Sequence, residues 1–269
     1  MEARTDGPRT VSRIRFGGSG YGEEMEADAP ALGDAFGAAL LAHLDHGGPG
    51  LHVLERDDGD VDVASASVYF GGIDAWSPAE AEVVGSARGR VLDVGAGAGR
   101  ATLHLQEQGL VVTALDVSPG AVEVCRRRGV RTTFLGTLDE LAATGAGPFD
   151  TFLLLGNNLG LIGSPEAAPV WFDSLRRLAA PSARLIGTTL DPYRTEDPDH
   201  LAYHERNRRR GRMAGQVTLR TRYRRLSTPW FDLLWVSFGE LCSIVEPLGW
   251  TVGHHAEDGP FLSLALEMR

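Results

Sequence analysis

One seven-residue segment constrains the fold of this chain more than any other: residues 93–99, which read DVGAGAG. The apolar residues Val91 and Leu92 precede it, so a predicted buried strand ends in an acidic residue and then turns through glycines at every second position. Glycine lets bare backbone approach a ligand, because it has no Cβ and readily adopts a positive φ. The segment therefore predicts a loop that binds a nucleotide-type cofactor.

The spacing of the glycines excludes two common phosphate-binding loops. A dinucleotide fingerprint needs G-x-G-x-x-G/A, but counting from Gly95 places Arg100 in the last position. A P-loop needs a following Gly-Lys-Ser/Thr, and the chain contains no lysine. The pattern that remains is D-x-G-x-G-x-G, with Asp93 as its acid.

Strand and helix patterns alternate from Arg90 onward. The second strand ends in Asp116, and Ser118 and Pro119 then form a helix start, with a capping side chain and a proline at the first helical position. Such alternation predicts a doubly wound parallel sheet whose ligands lie at the carboxyl ends of the strands. We expect strands at residues 91–94, 111–115, 131–135, 151–155 and 184–189, with helices at 101–108, 119–129 and 170–179.

The last part of the chain predicts an antiparallel pair of strands that completes this sheet. A capping box at Ser237 and Glu240 starts a helix over residues 238–248, and Gly249 ends it. Strands at residues 250–253 and 261–266 follow as an antiparallel pair. The expected fold class is α/β, with a doubly wound, mostly parallel seven-stranded sheet and a C-terminal antiparallel hairpin.

Two further regions are expected around this core, which spans residues 90–269. Residues 1–30 are polar and glycine-rich and predict a flexible N-terminal segment. Residues 31–89 predict an N-terminal cap with a helix at 31–44, a hairpin of strands at 51–54 and 61–63, and a helix that begins at Ser77 and Pro78. Residues 191–236 break the alternation and predict an insertion, in which an arginine-rich loop or helix precedes a β-hairpin of strands at 216–225 and 230–236.

The glycine motif, the acid after the second strand and the closing hairpin together resemble the class I S-adenosyl-L-methionine (SAM) dependent methyltransferases, over the whole predicted core. The resemblance implies SAM as cofactor and S-adenosyl-L-homocysteine (SAH) as product. It implies that the backbone of Gly95, Gly97 and Gly99 lies against the methionine part of SAM, with Asp93 near its ammonium group. Asp116 would then accept hydrogen bonds from the ribose hydroxyls. The structural alternatives are a loop cap for Asp93 and a helix cap for Asp116.

The adenine side departs from the pattern of that family. The family places an acid and an apolar residue after the third strand, whereas Gly136, Thr137 and Leu138 stand here and Asp139 comes later. Three adenine contacts stay open: the Thr137 hydroxyl, the Leu138 backbone and a shifted Asp139. Asp139 is equally suited to cap a helix.

Residues 156–160, which read GNNLG, follow the fourth predicted strand. They resemble the Gly-Asn segment of some small-molecule N-methyltransferases. The resemblance implies that Asn157 or Asn158 touches SAM or the acceptor, the molecule that receives the methyl group. An asparagine-rich turn that needs no ligand is the alternative.

The net charge and the chemistry of methyl transfer narrow the class of acceptor molecule and the side chains that the reaction needs. A formal net charge of −10 and a pI near 5.3 argue against a protein whose main task is to hold a nucleic acid backbone or an anionic membrane. Methyl transfer from a sulfonium needs alignment more than a particular side chain, so no catalytic residue is required. A hydroxyl or protonated amine acceptor would need a base. His200 and His204, at helical spacing in the insertion, are the weak candidates, with a solvated helix face as the alternative.

Arginines occupy alternate positions of a predicted strand in the insertion. Arg220, Arg222 and Arg224 would share one strand face. A solvated face is the plain interpretation, and a site for a carboxylate or phosphate of the acceptor is the functional one. Aromatic residues that are candidates for the acceptor side, or for core packing, are Tyr69, Phe70, Trp76, Trp230 and Trp235.

The sequence thus predicts an enzyme that transfers a methyl group from SAM to nitrogen or oxygen of a small molecule, with an anionic acceptor as one variant. A nucleic acid methyltransferase and a non-catalytic SAM- or SAH-binding module are the alternatives. With only Cys125 and Cys242 and no long apolar stretch, we expect no metal site, no membrane span and a cytoplasmic location. The acceptor, the atom methylated and the oligomeric state stay open, a homo-oligomer being one of the alternatives.

Overall fold

A cap of helices and short strands precedes the core. The computed structural model describes residues 30–269, so the segment predicted over residues 1–30 lies outside the described residues apart from Pro30. The predicted hairpin and the helix start at Ser77 are confirmed. The cap elements are β1 (Ala31–Leu32), α1 (Ala35–His46), β2 (Leu51–Arg56), β3 (Val61–Ser65) and α2 (Pro78–Val84), with 3₁₀ turns at Ala66–Tyr69 and Ile73–Ala75.

Strands and helices then alternate as predicted. The core contains β4 (Arg90–Val94), α3 (Arg100–Glu107), β5 (Val111–Asp116), α4 (Pro119–Arg127), β6 (Thr133–Leu135), α5 (Leu138–Ala143), β7 (Phe149–Leu154), α6 (Ala168–Leu178) and β8 (Ala179–Leu190). The insertion contains α7 (Pro198–Arg209), β9 (Gln216–Tyr223), β10 (Leu226–Ser227) and β11 (Phe231–Leu234). The chain ends with α8 (Phe238–Val245), β12 (Trp250–Asp258) and β13 (Phe261–Met268).

The core sheet has seven strands in the order β12-β13-β8-β7-β4-β5-β6. Strands β4 to β8 pair in parallel, whereas β13 is antiparallel to both β8 and β12. Its central residues Leu92, Leu153 and Ile186 are fully buried, because helices cover both faces of the sheet. The predicted α/β fold is confirmed. The strand order reverses between β4 and β7, which places the ligand crevice at their carboxyl ends.

A second sheet joins the cap to the insertion. Its order is β1-β10-β9-β2-β3, and β11 also pairs with β9. The register places Arg222 opposite Val53 and Arg220 opposite Glu55. The predicted cap and the predicted insertion, although distant in the chain, therefore build one structural unit.

The structure corrects several predicted boundaries. Strand β8 begins at Ala179 and not at residue 184. The first helix begins at Ala35 and not at residue 31, because residues 31–32 pair with β10 and Asp34 caps the helix. Arg224 lies outside β9, in the tight turn to β10, with φ of 54°. Strand β12 continues past residue 253 to Asp258, with a register shift after Val252.

None of the helices within residues 30–269 combines the length and the apolar character needed to cross a membrane.

Candidate functional site

Three glycines with left-handed backbone shape the turn after β4. Gly95, Gly97 and Gly99 have φ values of 72°, 57° and 76°. A Cβ on Gly95 would lie 2.5 Å from Nδ2 of Asn158, and a Cβ on Gly99 would lie 3.0 Å from Sγ of Cys125. Strain and close contact together therefore exclude larger residues at these two positions. The loop lies at the carboxyl end of β4, where the strand order reverses.

Asp116 ends β5 beside this loop. Its carboxylate accepts hydrogen bonds from the Gly97 N–H at 2.8 Å and from the Ser118 N–H at 2.9 Å. Burial raises the pKa of Asp116 to about 6, and the nearby Asp34 carboxylate adds to the rise. Because a carboxylate can accept about four hydrogen bonds, Asp116 can hold the loop and still accept hydroxyl groups from a ligand.

Asp93 lies deeper, at 3% exposure. It accepts a hydrogen bond from Oγ1 of Thr102 on α3 at 2.7 Å. Burial raises the pKa of Asp93 to about 6, while the Thr102 hydrogen bond and the Arg100 charge act in the opposite direction. Asp93 thus fixes the helix that follows the loop, whereas the structural alternative from the sequence was a cap of the loop itself.

The two asparagines after β7 differ in their contacts. Asn158 donates from Nδ2 to the carbonyls of Val94 and Gly95, at 3.2 and 2.9 Å, and so holds the end of β4. Asn157 donates its backbone N–H to Oγ1 of Thr188 at 2.9 Å. Its half-buried side chain makes no hydrogen bond to the residues that the structure describes. Asn157 is therefore the member of the pair that is available to a ligand.

The segment predicted to meet the adenine starts α5. The Thr137 hydroxyl accepts from the Glu140 N–H at 3.2 Å, and the Thr137 N–H donates to the Glu140 carboxylate at 2.7 Å. Asp139 accepts hydrogen bonds from Ser174 and Arg177 of α6. Leu138 is the first helical residue, so its N–H has no partner within the helix. The Leu138 N–H is free of these capping contacts and the Thr137 hydroxyl keeps its own proton to donate, so the adenine contact stays open between these two groups.

Two aromatic rings of the cap lie over the glycine loop. A Cβ on Gly97 would lie 3.8 Å from Cζ of Phe36 and 3.8 Å from Cδ1 of Tyr69. The two rings pack edge to face, with centroids 5.1 Å apart. Burial raises the pKa of Tyr69, and the charge of Arg100 opposes the rise. The cap therefore lies directly against the loop at Gly97.

Phe70 and Trp76 pack against cations of the core. The Arg128 guanidinium lies 4.8 Å from the Phe70 ring centre, and the Arg100 guanidinium lies 4.7 Å from that of Trp76. Arg100 also forms an ion pair with Glu80 of α2, and both side chains are largely buried. The arginine that breaks the dinucleotide pattern thus ties α2 to the start of α3.

Asp34 joins the cap to the core. Its carboxylate accepts hydrogen bonds from Oγ of Ser118 at 2.9 Å, from the Gly120 N–H at 2.7 Å and from the Gly37 N–H at 2.8 Å. One side chain therefore caps the N-termini of both α1 and α4. A Cβ on Gly120 would lie 2.6 Å from Cα of Gly37, so the two helices meet backbone to backbone. Ser118 bonds both Asp34 and Asp116, and so links the cap to the acid beside the loop.

His200 and His204 lie on α7, which packs at the far end of β2. There the Arg56 guanidinium lies 4.3 Å from the Tyr203 ring centre. Four residues of strand, about 13 Å, separate this contact from His52, which adjoins the rings over the loop. Burial, followed by nearby positive charge, lowers the pKa of His204. As bases, these two histidines stay predictions.

Arg220 and Arg222 form ion pairs within the second sheet. Both donate to the Glu55 carboxylate, Arg220 at 2.9 and 3.0 Å and Arg222 at 3.2 Å. These contacts lower the pKa of Glu55. The Arg220 guanidinium also lies 4.5 Å from the Trp230 ring centre. Because side chains alternate along β2, Glu55 and its arginines lie on the face opposite to His52, an arrangement that favours the solvated, ion-paired interpretation.

Sequence reasoning missed three residues that the fold brings to the loop: Asp34, Phe36 and His52. Aspartate is a preferred N-cap residue, so the sequence could have indicated that Asp34 caps the first helix. No local pattern shows that Asp34 also caps α4, a helix of the core. Phe36 lies within the predicted first helix, and nothing in the local pattern shows that its ring reaches the glycine loop. His52 lies in a predicted strand, and nothing in the local pattern shows that its ring is buried beside Tyr69.

Comparisons with known proteins agree with this architecture. Residues 91–182 match a family described as a methyltransferase domain. A SAM-dependent methyltransferase from Bacteroides fragilis, solved in complex with SAH, is 27% identical in sequence. Its structure matches 89% of this chain and 98% of its own with a TM-score of 0.75. The CcbJ methyltransferase of Streptomyces caelestis, 15% identical, shares the fold over 75% of this chain and 95% of its own, with a TM-score of 0.55.

A curated relative matches a shorter stretch. The ubiquinone biosynthesis O-methyltransferase of Xylella fastidiosa (strain 9a5c) is 31% identical over 107 residues, which cover 38% of this chain. The matched stretch covers 42% of that relative, so this chain spans less than half the length of the curated protein it resembles.

Proposed function

Because this chain belongs to the class I SAM-dependent methyltransferases, we propose that it transfers the methyl group of SAM to a nitrogen or oxygen atom of a small molecule. The name of the curated relative, an O-methyltransferase, favours oxygen in this proposal. The observation that carries it is the glycine loop with its cap: three left-handed glycines at the carboxyl end of β4, with the rings of Phe36 and Tyr69 within 3.8 Å of a Cβ position on Gly97.

The residues around the loop fit SAM. The left-handed glycines leave bare backbone for the methionine part, and Asn157 immediately precedes Asn158, whose side chain donates to the Gly95 carbonyl. Asp116 keeps lone pairs for the ribose hydroxyls, and the Leu138 N–H suits an adenine nitrogen. The Asn157 side chain, Asp116 and the Leu138 N–H have hydrogen-bonding capacity that the contacts between described residues do not use. The N–H groups of Gly95, Gly97 and Gly99 all donate within the protein, so the loop would contact SAM mainly through its shape.

Methyl transfer requires mainly that the protein align the methyl donor with the acceptor. When bound, SAM supplies an electrophilic methyl group on a positively charged sulfur. The loop residues hold and orient the donor, while Phe36 and Tyr69 keep water away from the space above Gly97. Positioning of this kind lowers a barrier by about 7 kcal/mol or more, so the fold can supply most of the rate enhancement.

The cap supports a small acceptor. Asp34 holds α1 directly on α4, and the cap rings lie in van der Waals range of a Cβ position on Gly97. A nucleic acid strand would need an open, positively charged groove, whereas the net charge of this protein is −10. Enclosure and charge therefore both favour a compact molecule.

The test uses SAM carrying a labelled methyl group. The protein is incubated with labelled SAM and an extract of its source cells, and the label is then followed into small molecules, nucleic acid and protein. We expect label in the small-molecule fraction. Label in nucleic acid would establish the alternative methyltransferase, and label in protein would refute a small acceptor. No transfer, despite SAH binding measured by calorimetry, would indicate a binding module that transfers no methyl group.

A further inference from the structure

His52 carries a buried nitrogen atom without a hydrogen-bond partner. The side chain, on β2, is 2% exposed, and its Nδ1 lies 3.2 Å from the carbonyl oxygen of Gly50. A carbonyl only accepts hydrogen bonds, so Nδ1 holds the proton of the neutral ring and Nε2 holds a lone pair. Nε2 makes no hydrogen bond to any described residue.

This nitrogen lies next to the rings that cover the glycine loop. The His52 ring centre is 6.1 Å from that of Phe36 and 6.3 Å from that of Tyr69. Both aromatic rings reach within 3.8 Å of a Cβ position on Gly97. The Tyr69 hydroxyl has no hydrogen-bond partner within residues 30–269 either. Two polar groups with unused hydrogen-bonding capacity thus meet beside the loop, where a ligand that offers a donor would satisfy them.

The environment keeps His52 neutral. Burial lowers the pKa of His52, and the contact with the Gly50 carbonyl acts more weakly in the opposite direction. Tyr69, in the 3₁₀ turn after β3, and Tyr223, on β9, pack against the hydrophobic cluster of the cap, and no charged side chain within residues 30–269 contributes to the shift in the pKa of His52. At pH 7 the Nε2 lone pair is therefore available to a proton.

We propose that Nε2 of His52 accepts the proton of a hydroxyl or ammonium group on the acceptor, with the Tyr69 hydroxyl bonded to the same molecule. This role rests on the proposed methyl transfer. The proton passes to Nε2, and the acceptor atom keeps the electron pair with which it bonds to the methyl carbon. The sulfur keeps the pair of the broken carbon–sulfur bond, and the imidazolium later releases its proton to solvent. Because Nε2 is enclosed, the Tyr69 ring turns aside as the acceptor enters.

The variant His52→Asn isolates the nitrogen in question. Its amide can still donate to the Gly50 carbonyl, but nothing replaces Nε2. His43→Asn is the matched control. His43 also contacts a glycine carbonyl of the same loop, that of Gly48, and packs against a ring of the cap, with its centre 4.4 Å from that of Phe70.

Three measurements follow on the full chain. Initial rates of label transfer from SAM use the small-molecule fraction of the source-cell extract as acceptor, from pH 5 to pH 9. His52→Asn is expected to lower the neutral rate by about 100-fold to 10,000-fold, and His43→Asn by less than about twofold. The loss should shrink at high pH, where the acceptor loses its proton to solvent. Calorimetry should give the same SAH affinity for both variants and the wild type.

Nitrogen-15 NMR of the wild type with bound SAH reads the tautomer without turnover. We expect Nε2 of His52 to be unprotonated at pH 7. A proton on Nε2 at pH 7, or a His52→Asn variant that binds SAH and transfers methyl at the wild-type rate, would overturn the role of His52 and leave the proposed function standing. A wild type that binds SAH but labels no small molecule would overturn the function, and the role of His52 with it.

Discussion

The donor side and the acceptor side of this protein are built in different ways. The donor side is one turn and its neighbours: residues 95–99 and Asp116, whose two carboxylate oxygens each hold a backbone N–H. The proposed acceptor side lies around Phe36, Tyr69 and His52 of the cap, and the sheet of the cap includes β9 of the distant insertion. It retains enclosed polar atoms without partners among the described residues, Nε2 of His52 and Oγ of Ser227. The binding of the methyl donor is therefore determined by a short stretch of backbone. The recognition of the acceptor depends on how segments distant in the chain pack together.

Gly95→Ala should weaken cofactor binding at the donor side. The new Cβ would lie 2.5 Å from Nδ2 of Asn158, on a residue with φ of 72°. We expect the SAH affinity in calorimetry to fall by about 100-fold, equivalent to about 2.7 kcal/mol. Gly59→Ala is the control, since Gly59 has φ of 91° in the β2–β3 turn but no atom within 4 Å of its Cβ position. Equal affinity losses in the two variants would show that strain, and not the shape of the loop, is responsible.

Asp116→Ala tests the ribose contact. Hydrogen bonds to a charged group contribute about 1.5 to 3 kcal/mol, so we expect SAH to bind about tenfold to a hundredfold more weakly. Asp139→Ala removes the other acid considered for the cofactor, which is instead bonded to α6, and should leave the affinity unchanged. Unchanged SAH affinity in Asp116→Ala would reject the assignment.

Acid should weaken SAH binding through the same residue. Burial raises the pKa of Asp116 to about 6, so at pH 5 the free protein holds the carboxyl protonated, whereas ribose hydroxyls favour the ionised form. We expect up to about tenfold weaker binding at pH 5 than at pH 7.5. The raised pKa also means that this group destabilises the free protein as pH rises from about 4 to about 6. Asp116→Asn should bind SAH with less pH dependence, and an unchanged slope would assign the effect to another group, such as Asp93.

Asp34→Ala tests how firmly the two sides are joined. The variant loses the hydrogen bonds that cap α1 and α4, so we expect the free energy of unfolding to fall by about 1 to 2 kcal/mol. Hydrogen exchange in α1 should accelerate, and SAH affinity should fall by less than about tenfold. Asp45→Ala is the control, because the exposed Asp45–Arg127 ion pair joins the same two helices and such pairs contribute about 0 to 1 kcal/mol. Equal hydrogen-exchange rates in α1 of the two variants would show that Asp34 holds α1 on α4 no more firmly than the exposed ion pair does.

Arg222→Ala should have the smallest effect. Arg222 donates to Glu55 at 3.2 Å on the sheet face opposite to His52, and Arg220 remains bonded to the same carboxylate. We expect the Michaelis constants for both substrates to change by less than about twofold, as for an exposed ion pair. A raised Michaelis constant for the acceptor alone would instead support the hypothesis that Arg220 and Arg222 bind the acceptor.

The same contrast explains what the sequence could predict. Residues 93–99, Asp116 and the helix start at Ser118 are local patterns, so the core fold and the cofactor are readable from residues that are neighbours in the chain. The pairing of β2 with β9 has no local signal, and it decides that Arg220 lies opposite Glu55 and therefore on the face away from His52. The adenine contact was ambiguous for the same reason, because the position of Asp139 depends on contacts with α6.

A crystal structure of the protein with SAH would locate the donor and the acceptor sides together. We expect ribose hydroxyl oxygens at about 2.6 to 3.0 Å from the Asp116 carboxylate, and the homocysteine part along residues 95–99. The sulfur should face the space bounded by Phe36, Tyr69 and His52. A ribose held elsewhere, or a sulfur that faces away from the cap, would contradict the division into a local donor side and an assembled acceptor side.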